Sequence, residues 1–372
     1  MIAQWMKKLG MDWYLNFVVI FLLSFGLIAI FSLSANEETA GLNNFHKQII
    51  FIGIGLLSFV FLSFIDYRGW KKYSGIFYLA GIILLSLIFW LGKDIRGTYS
   101  WFDLGFFNFQ PTELFKFFVI IILAKYFSKS ATSKLGIKEV FISFLYIAIP
   151  VFLIMKQPDL GGALIIIVIW LGMLFVSNVE KKVFGYLLLI LAIFSLSGWF
   201  FVLKDYQKNR IEAFINPMED PLGAGYNVIQ STIAIGSGGL MGKGLGYGSQ
   251  SQLNFLPEKH NDFIFATIAE ESGFLGLSIL IAFFGFLLFR LFRISESSRD
   301  LFGHLIVSGI MTMFFFQILI NAGMNLGIMP VAGLSLPFVS YGGSFLLVCM
   351  LCIGMAQSVW RKRRKERIES EY

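Results

Sequence analysis

Four stretches of this chain, residues 13–34, 73–92, 160–179 and 183–203, run without a single Asp, Glu, Lys or Arg. A helix of about 20 apolar residues crosses the roughly 30 Å hydrocarbon core of a bilayer. A soluble helix of that length would need a charged face, and these runs have none. The composition agrees, with 57% hydrophobic and 14% charged residues, where a soluble domain carries about 25% charge. Lipid is therefore the solvent this chain requires. The fold class expected is all-α, a polytopic membrane protein read as one transmembrane domain over residues 1–372.

The first apolar run follows Lys7 and Lys8 and ends near Leu33-Ser34-Ala35, which imitates a secretory leader. It exceeds the roughly 7–15 residues of a leader's apolar core, so it reads as a retained span. Ten spans are expected near 13–34, 48–65, 73–92, 112–127, 140–156, 160–178, 183–203, 263–289, 301–325 and 344–360. With both termini cytoplasmic, most of the 30 basic residues fall on inner segments, as the positive-inside rule requires. Six of them form the tail Arg361-Lys362-Arg363-Arg364-Lys365-Glu366-Arg367. A basic cluster directly after a span anchors to anionic lipid, which accounts for the net charge of +7 without nucleic acid as a partner. Cys349 and Cys352 lie in an apolar run and read as packing residues, and His46, His260 and His304 have no metal-ligand spacing.

Two outer segments differ from the rest. Residues 92–111 contain Arg96-Gly97-Thr98-Tyr99-Ser100-Trp101, and the segment 204–262 is long, Gly-rich and carries charges of both signs. Long connections of this kind are usually functional, and the apolar residues in this one predict short amphipathic helices at the outer membrane face. The sequence Gly242-Lys243-Gly244 lacks the Ser/Thr of a phosphate-binding loop and has no strand before it, so no nucleotide is expected.

Candidate chemistry gathers at the ends of these segments. Asp262 precedes the span that begins at Phe263. A carboxylate there is an N-cap, or a partly desolvated general base, or both. Glu258, Lys259 and His260 are a solvated loop face or part of a site for an anionic, hydroxyl-rich substrate. Arg96, Arg210 and Lys243 are external cations that could join such a site and stabilise charge on a leaving pyrophosphate. Glu113 and Lys116 stand at i, i+3 at a span's outer end, as an ion pair or as substrate contacts. Glu270 and Glu271 sit deeper in the eighth span, and adjacent residues cannot share a helix face. Finally, Pro330, Gly333, Pro337 and Ser340-Tyr341-Gly342-Gly343-Ser344 interrupt an uncharged, membrane-level stretch. Irregular backbone at that depth must be buried in protein or line a cavity, so a re-entrant segment is expected.

Four of these motifs, in this order, resemble the SEDS family (shape, elongation, division and sporulation). They are Gln110-Pro111-Thr112-Glu113 with Lys116, then Gln157-Pro158-Asp159-Leu160-Gly161, then Leu256-Pro257-Glu258 with Asp262-Phe263-Ile264-Phe265, and last Asn325 through Ser344. Gly225-Tyr226-Asn227, Gln230-Ser231 and Ala234 to Gly239 bring it nearer to the RodA-type branch than to the FtsW or SpoVE type. Gly162 departs from the family's usual Thr.

The resemblance implies a peptidoglycan glycosyltransferase of the cytoplasmic membrane that polymerises lipid II during elongation. It implies Asp262 as the essential carboxylate, Trp101 as a second key residue, and Glu113 and Lys116 in the cavity. Arg210, Glu258, Lys259 and Arg96 are expected at the substrate, and Glu270, Asn325, Pro330, Ser340, Gly342 and Gly343 in the framework around it. A divalent cation, Mg or Mn, and a class B penicillin-binding transpeptidase are the cofactor and partner it implies. The alternatives are a lipid II flippase or a division- or sporulation-type polymerase.

Overall fold

Each long apolar run becomes a helix, and its ends are set by residues that cannot continue one. The computed structural model describes residues 10–34, 41–95, 98–105, 107–130, 134–201, 205–223 and 225–370. In chain order the helices are α1 (Trp13–Ser34), α2 (Gly41–Phe64), α3 (Arg68–Leu91), α4 (Pro111–Phe127), α5 (Ile137–Lys156), α6 (Leu160–Val176) and α7 (Lys181–Phe201). Three shorter ones follow, α8 (Asp205–Ile215), α9 (Tyr226–Ser237) and α10 (Ser249–Gln252). The last three are α11 (Ile264–Glu296), α12 (Leu301–Asn325) and α13 (Gly343–Ser370).

Pro111 opens α4, where its missing N–H costs nothing. Asp159 caps α6 by accepting from the Gly162 amide at 2.8 Å, and Asp300 caps α12 by accepting from Gly303 at 2.6 Å. Seven of the described helices are long and apolar enough to cross a membrane: α1, the Asn44–Phe64 part of α2, α3, α5, α11, α12 and the Gly343–Arg363 part of α13. The 17-residue α6 is a shorter apolar helix.

The helical expectation holds in its coarse form, with one addition outside the spans. The chain is mostly helical but not all-α. Three short strands, β1 (Lys93–Ile95), β2 (Thr98–Asp103) and β3 (Asn108–Phe109), form an antiparallel sheet in the order β1-β2-β3. Thr98-Tyr99-Ser100-Trp101-Phe102 is β-branched or aromatic at four positions of five, a composition that favours strand. Gly105, at φ 77, lies between β2 and β3, and Lys93 pairs with Asp103 at 2.8 Å across the hairpin. Helix α13 also runs on through the basic tail to Ser370. Lys, Arg and Glu are good helix formers, so nothing in Arg361–Arg367 ends the helix.

Burial sorts the helices. The 119–124 stretch of α4 is buried on all sides, α12 is buried along most of its length, and α13 is mostly buried over residues 344–359. Around them α2, α3 and α5 turn Leu57, Phe61, Leu79, Trp90, Phe141 and Phe152 outward. In water this apolar exterior would drive aggregation; in a bilayer it is the lipid-facing surface. α13 lies along α2, and α12 packs against both α6 and α11.

Candidate active site

A cavity of about 380 Å³ opens where the β-hairpin, the starts of α4, α6 and α13, and the segments around 210, 262 and 332–342 converge. It is built from helix ends, which explains its polarity. The first turn of a helix carries the caps and charges that its apolar middle cannot.

Asp262 lines this cavity and is half-buried. The N-cap of α11 is Phe263, with no side-chain cap bond, so the capping expectation for Asp262 is not met. Its backbone is held instead. Asn321 and Asn325, both fully buried on α12, donate from Nδ2 to the Asp262 carbonyl at 2.9 and 3.0 Å. Asn325 also accepts the Ala266 amide at 3.2 Å, and the Ser340 hydroxyl donates to the Asn261 carbonyl at 2.7 Å. The irregular stretch 326–342 thus folds back against the start of α11. A Cβ placed on Gly333 would lie 3.8 Å from Asp262 Oδ2.

Four other carboxylate or cationic residues share the cavity. Glu113 enters from α4 and forms an ion pair with Lys116 at 2.6 Å; the Lys116 side chain is fully buried, its Nζ 5.6 Å from the centre of the Phe345 ring. Asp159 lines the cavity while capping α6 and accepting from Gln110 Nε2 at 3.3 Å. Burial pushes its carboxyl above the ordinary carboxylate range, against the lowering pull of the Gly162 amide, Lys116, Gln110 and Arg210. Arg210, exposed on α8, and Trp101, half-buried on β2, complete the rim with Lys47 from α2.

The structure therefore brings together Asp262, Trp101, Glu113, Arg210, Gly342 and Gly343, with Lys116 behind Glu113. Other expected site residues lie elsewhere. Glu258 accepts from Asn261 Nδ2 at 2.9 Å and Lys259 donates to Asn254 at 2.8 Å, so both brace the loop outside the cavity lining. Pro330 is half-buried and outside the lining. Glu270 is fully buried but faces Lys243, Gln250 and Ser251. Arg96 lies outside the described residues.

Sequence reasoning missed Asp159, Lys47, Gln110 and Tyr341 as lining residues. An Asp directly before an apolar run was the available signal for the first; Lys47 carried none, because a Lys at a span's end reads as an anchor. Among the described residues, no group of three or more His, Cys, Asp or Glu side chains is placed to hold a metal ion.

A family model described as cell cycle protein, FtsW/RodA/SpoVE, matches residues 13–365. The chain belongs to the SEDS family. Peptidoglycan glycosyltransferase MrdB of Escherichia coli K12 is 37% identical over 360 residues, covering 96% of this chain and 95% of MrdB. A chain of a solved peptidoglycan synthase complex superposes with a TM-score of 0.80 at 33% identity, covering 95% of this chain and 98% of that one. The RodA of Thermus thermophilus superposes at 0.71 with 29% identity over 95% and 97% of the two chains. This SEDS protein is a multi-pass inner-membrane protein, and the cavity sits where its four family motifs meet in space.

Proposed function

We propose that this chain is an elongation-type peptidoglycan glycosyltransferase that polymerises lipid II in this cavity, with Asp262 as the general base. The observation that carries the proposal is the shared cavity itself. Half-buried Asp262, a cationic rim and an aromatic side chain converge on a space open to the surface. Lipid II presents a glycan and a pyrophosphate, which suit the aromatic side chain and the cationic rim.

In the proposed step the acceptor sugar's hydroxyl attacks the anomeric carbon of the donor. The new glycosidic bond forms as the bond to the pyrophosphate breaks. Asp262 takes the hydroxyl proton, and the pyrophosphate leaves as an anion that needs no general acid. Arg210 and Lys47 face the cavity and supply positive charge for that anion. Trp101 offers its face to a sugar ring.

Of the cavity's other carboxylates, Asp159 is engaged by Gly162 and Gln110 and Glu113 by Lys116. Mg takes one or two carboxylates and completes its shell with substrate phosphate oxygens and water. Such an ion would be held by a carboxylate of the cavity lining, Asp262 or Asp159, beside the pyrophosphate, where it would neutralise leaving-group charge.

The topology proposed with this reaction has ten spans, the seven above plus α4, α6 and α7, with both termini cytoplasmic and residues 204–262 outside. The basic bias of the opposite loops supports it. A class B penicillin-binding transpeptidase is the proposed partner, since the structural relative comes from a peptidoglycan synthase complex.

The test is purified protein with this partner and labelled lipid II, read on a gel for glycan polymer. Asp262→Asn keeps shape and hydrogen bonding but removes the base, and is expected to cut the rate about 10²–10⁴-fold. Polymer from the Asp262→Asn variant at wild-type rate would end the base assignment. No polymer from the wild type, with lipid II moving between leaflets instead, would favour a flippase. The structure gives that reading little support, because Glu270 and Glu271, its deepest carboxylates, lie outside the cavity lining.

A further inference from the structure

Helix α11 is broken at Gly273, where φ is 67° and ψ is −168°. In an unbroken helix the Phe274 and Leu275 amides would donate to the Glu270 and Glu271 carbonyls. Here all four groups turn to one segment of the 204–262 region. Phe274 donates to the Gly239 carbonyl at 2.9 Å and Leu275 to that of Leu240 at 3.1 Å. In return, Lys243 donates its amide to the Glu270 carbonyl, and Gly244 to that of Glu271, each at 3.0 Å. The side chains repeat the pattern. Glu270 pairs with Lys243 at 2.8 Å, and Glu271 accepts from the Gly246 amide at 3.1 Å and from Ser32 on α1 at 2.7 Å. The two backbones are too close for side chains. A Cβ on Gly242 would lie 2.1 Å from the Glu271 carbonyl oxygen, and one on Gly273 2.2 Å from the Gly242 nitrogen.

These bonds fix the segment's depth along α11. The run Ser272–Phe289 has no charged residue and, at about 1.5 Å per residue, matches a hydrocarbon core of about 30 Å. The segment meets α11 at the end of that run nearest the cavity. A helix break there would leave backbone groups that lipid cannot satisfy, and the segment satisfies them. Its tip then continues the lipid-facing surface. Leu240 and Met241 are 72% and 81% exposed, beside Phe274 and Leu275 at 62% and 52%.

We infer that residues 238–246 are a re-entrant hairpin whose Leu240–Met241 tip is embedded in the acyl chains of the leaflet on the cavity's side. The occupant of this apolar tip is lipid, because the tip is hydrogen-bonded to the lipid-facing residues of a membrane-spanning helix. The hairpin anchors the segment that joins Arg210 to Asp262. This inference rests on α11 as a membrane span and not on the proposed reaction.

The test is nitroxide accessibility in nanodiscs of phosphatidylcholine and phosphatidylglycerol, using the chain alone. Cys349 and Cys352 are fully buried, so the unsubstituted chain serves as the labelling blank. Met241→Cys is compared with Ile281→Cys, exposed in the middle of α11, and Lys138→Cys, exposed at the start of α5. Relaxation by oxygen reports lipid, and relaxation by a water-soluble nickel chelate reports water. The Met241→Cys label is expected to show an oxygen-to-nickel ratio near that of Ile281→Cys and well above that of Lys138→Cys. A nickel-dominated signal would overturn the inference. So would a signal shielded from nickel only after a transpeptidase partner is added, which would make the occupant protein. Loss of nickel shielding in Leu240→Asp/Met241→Cys would support it further.

Discussion

Neutralising Lys116 alone tests how the cavity's floor is held together. Its ammonium is fully buried and lies 2.6 Å from Glu113. At an effective dielectric constant of about 20, charges that close attract by about 6 kcal/mol. Desolvating both groups offsets most of that, so the pair itself adds little net stability. Removing one member is different. Lys116→Met or Glu113→Gln strands the other charge without a partner, at a cost of about 3–5 kcal/mol. The double variant Glu113→Gln/Lys116→Met removes both charges, and its stability is expected near the wild type. The assay is thermal unfolding in detergent, followed by size-exclusion chromatography, on all four proteins. Two results would refute the reasoning: a Lys116→Met protein as stable as the wild type, or a double variant no more stable than the singles. Lipid II polymerisation by the same proteins then separates folding from function. A stable double variant that makes no polymer would show that the charges serve the substrate as well as the fold.

Asp159 and Gly273 give two further predictions. Burial raises the Asp159 carboxyl, so the fold favours its protonated form; the stability it contributes is present at low pH and lost as pH rises through the folded-state value. Asp159→Asn keeps an equally good cap without the charge, so it should not destabilise at neutral pH, whereas Asp159→Ala should lose about 1 kcal/mol; comparing melting temperatures from pH 5 to 8 decides it. Gly273→Ala forces a Cβ against the Gly242 nitrogen at a left-handed position. It should cost about 1–3 kcal/mol through overpacking and free the 238–246 segment, read as new protease cleavage there.

Much of the fold was legible because lipid imposes a simple rule. A chain that must satisfy its backbone internally becomes helical wherever an apolar run reaches spanning length, and every such run here did. The β-hairpin was not legible, because short strands outside the bilayer obey no such length rule and depend on pairing partners. The tail's helicity was visible in its residue types.

For the site, sequence supplied the residue types and the ends of helices at which they stand. Asp262, Glu113, Lys116 and Arg210 could be nominated as charged residues at span ends or in the outer segment, and Trp101 through the family resemblance. Nothing in the linear order said that Glu258 and Lys259, four and three positions before Asp262, would turn away while Asp159, a hundred positions earlier, would line the same cavity. That choice is tertiary. It depends on Asn321 and Asn325 gripping one backbone carbonyl, on Ser340 closing the 326–342 stretch over Asn261, and on Gly273 breaking α11 so that the 239–244 segment can take its place. The sequence alone determined that this chain lives in lipid and that its long 204–262 region is unlike the other connections. Only the packed helices decided where that region's chemistry goes, because polar groups far apart in sequence had to find one another where lipid offered them nothing.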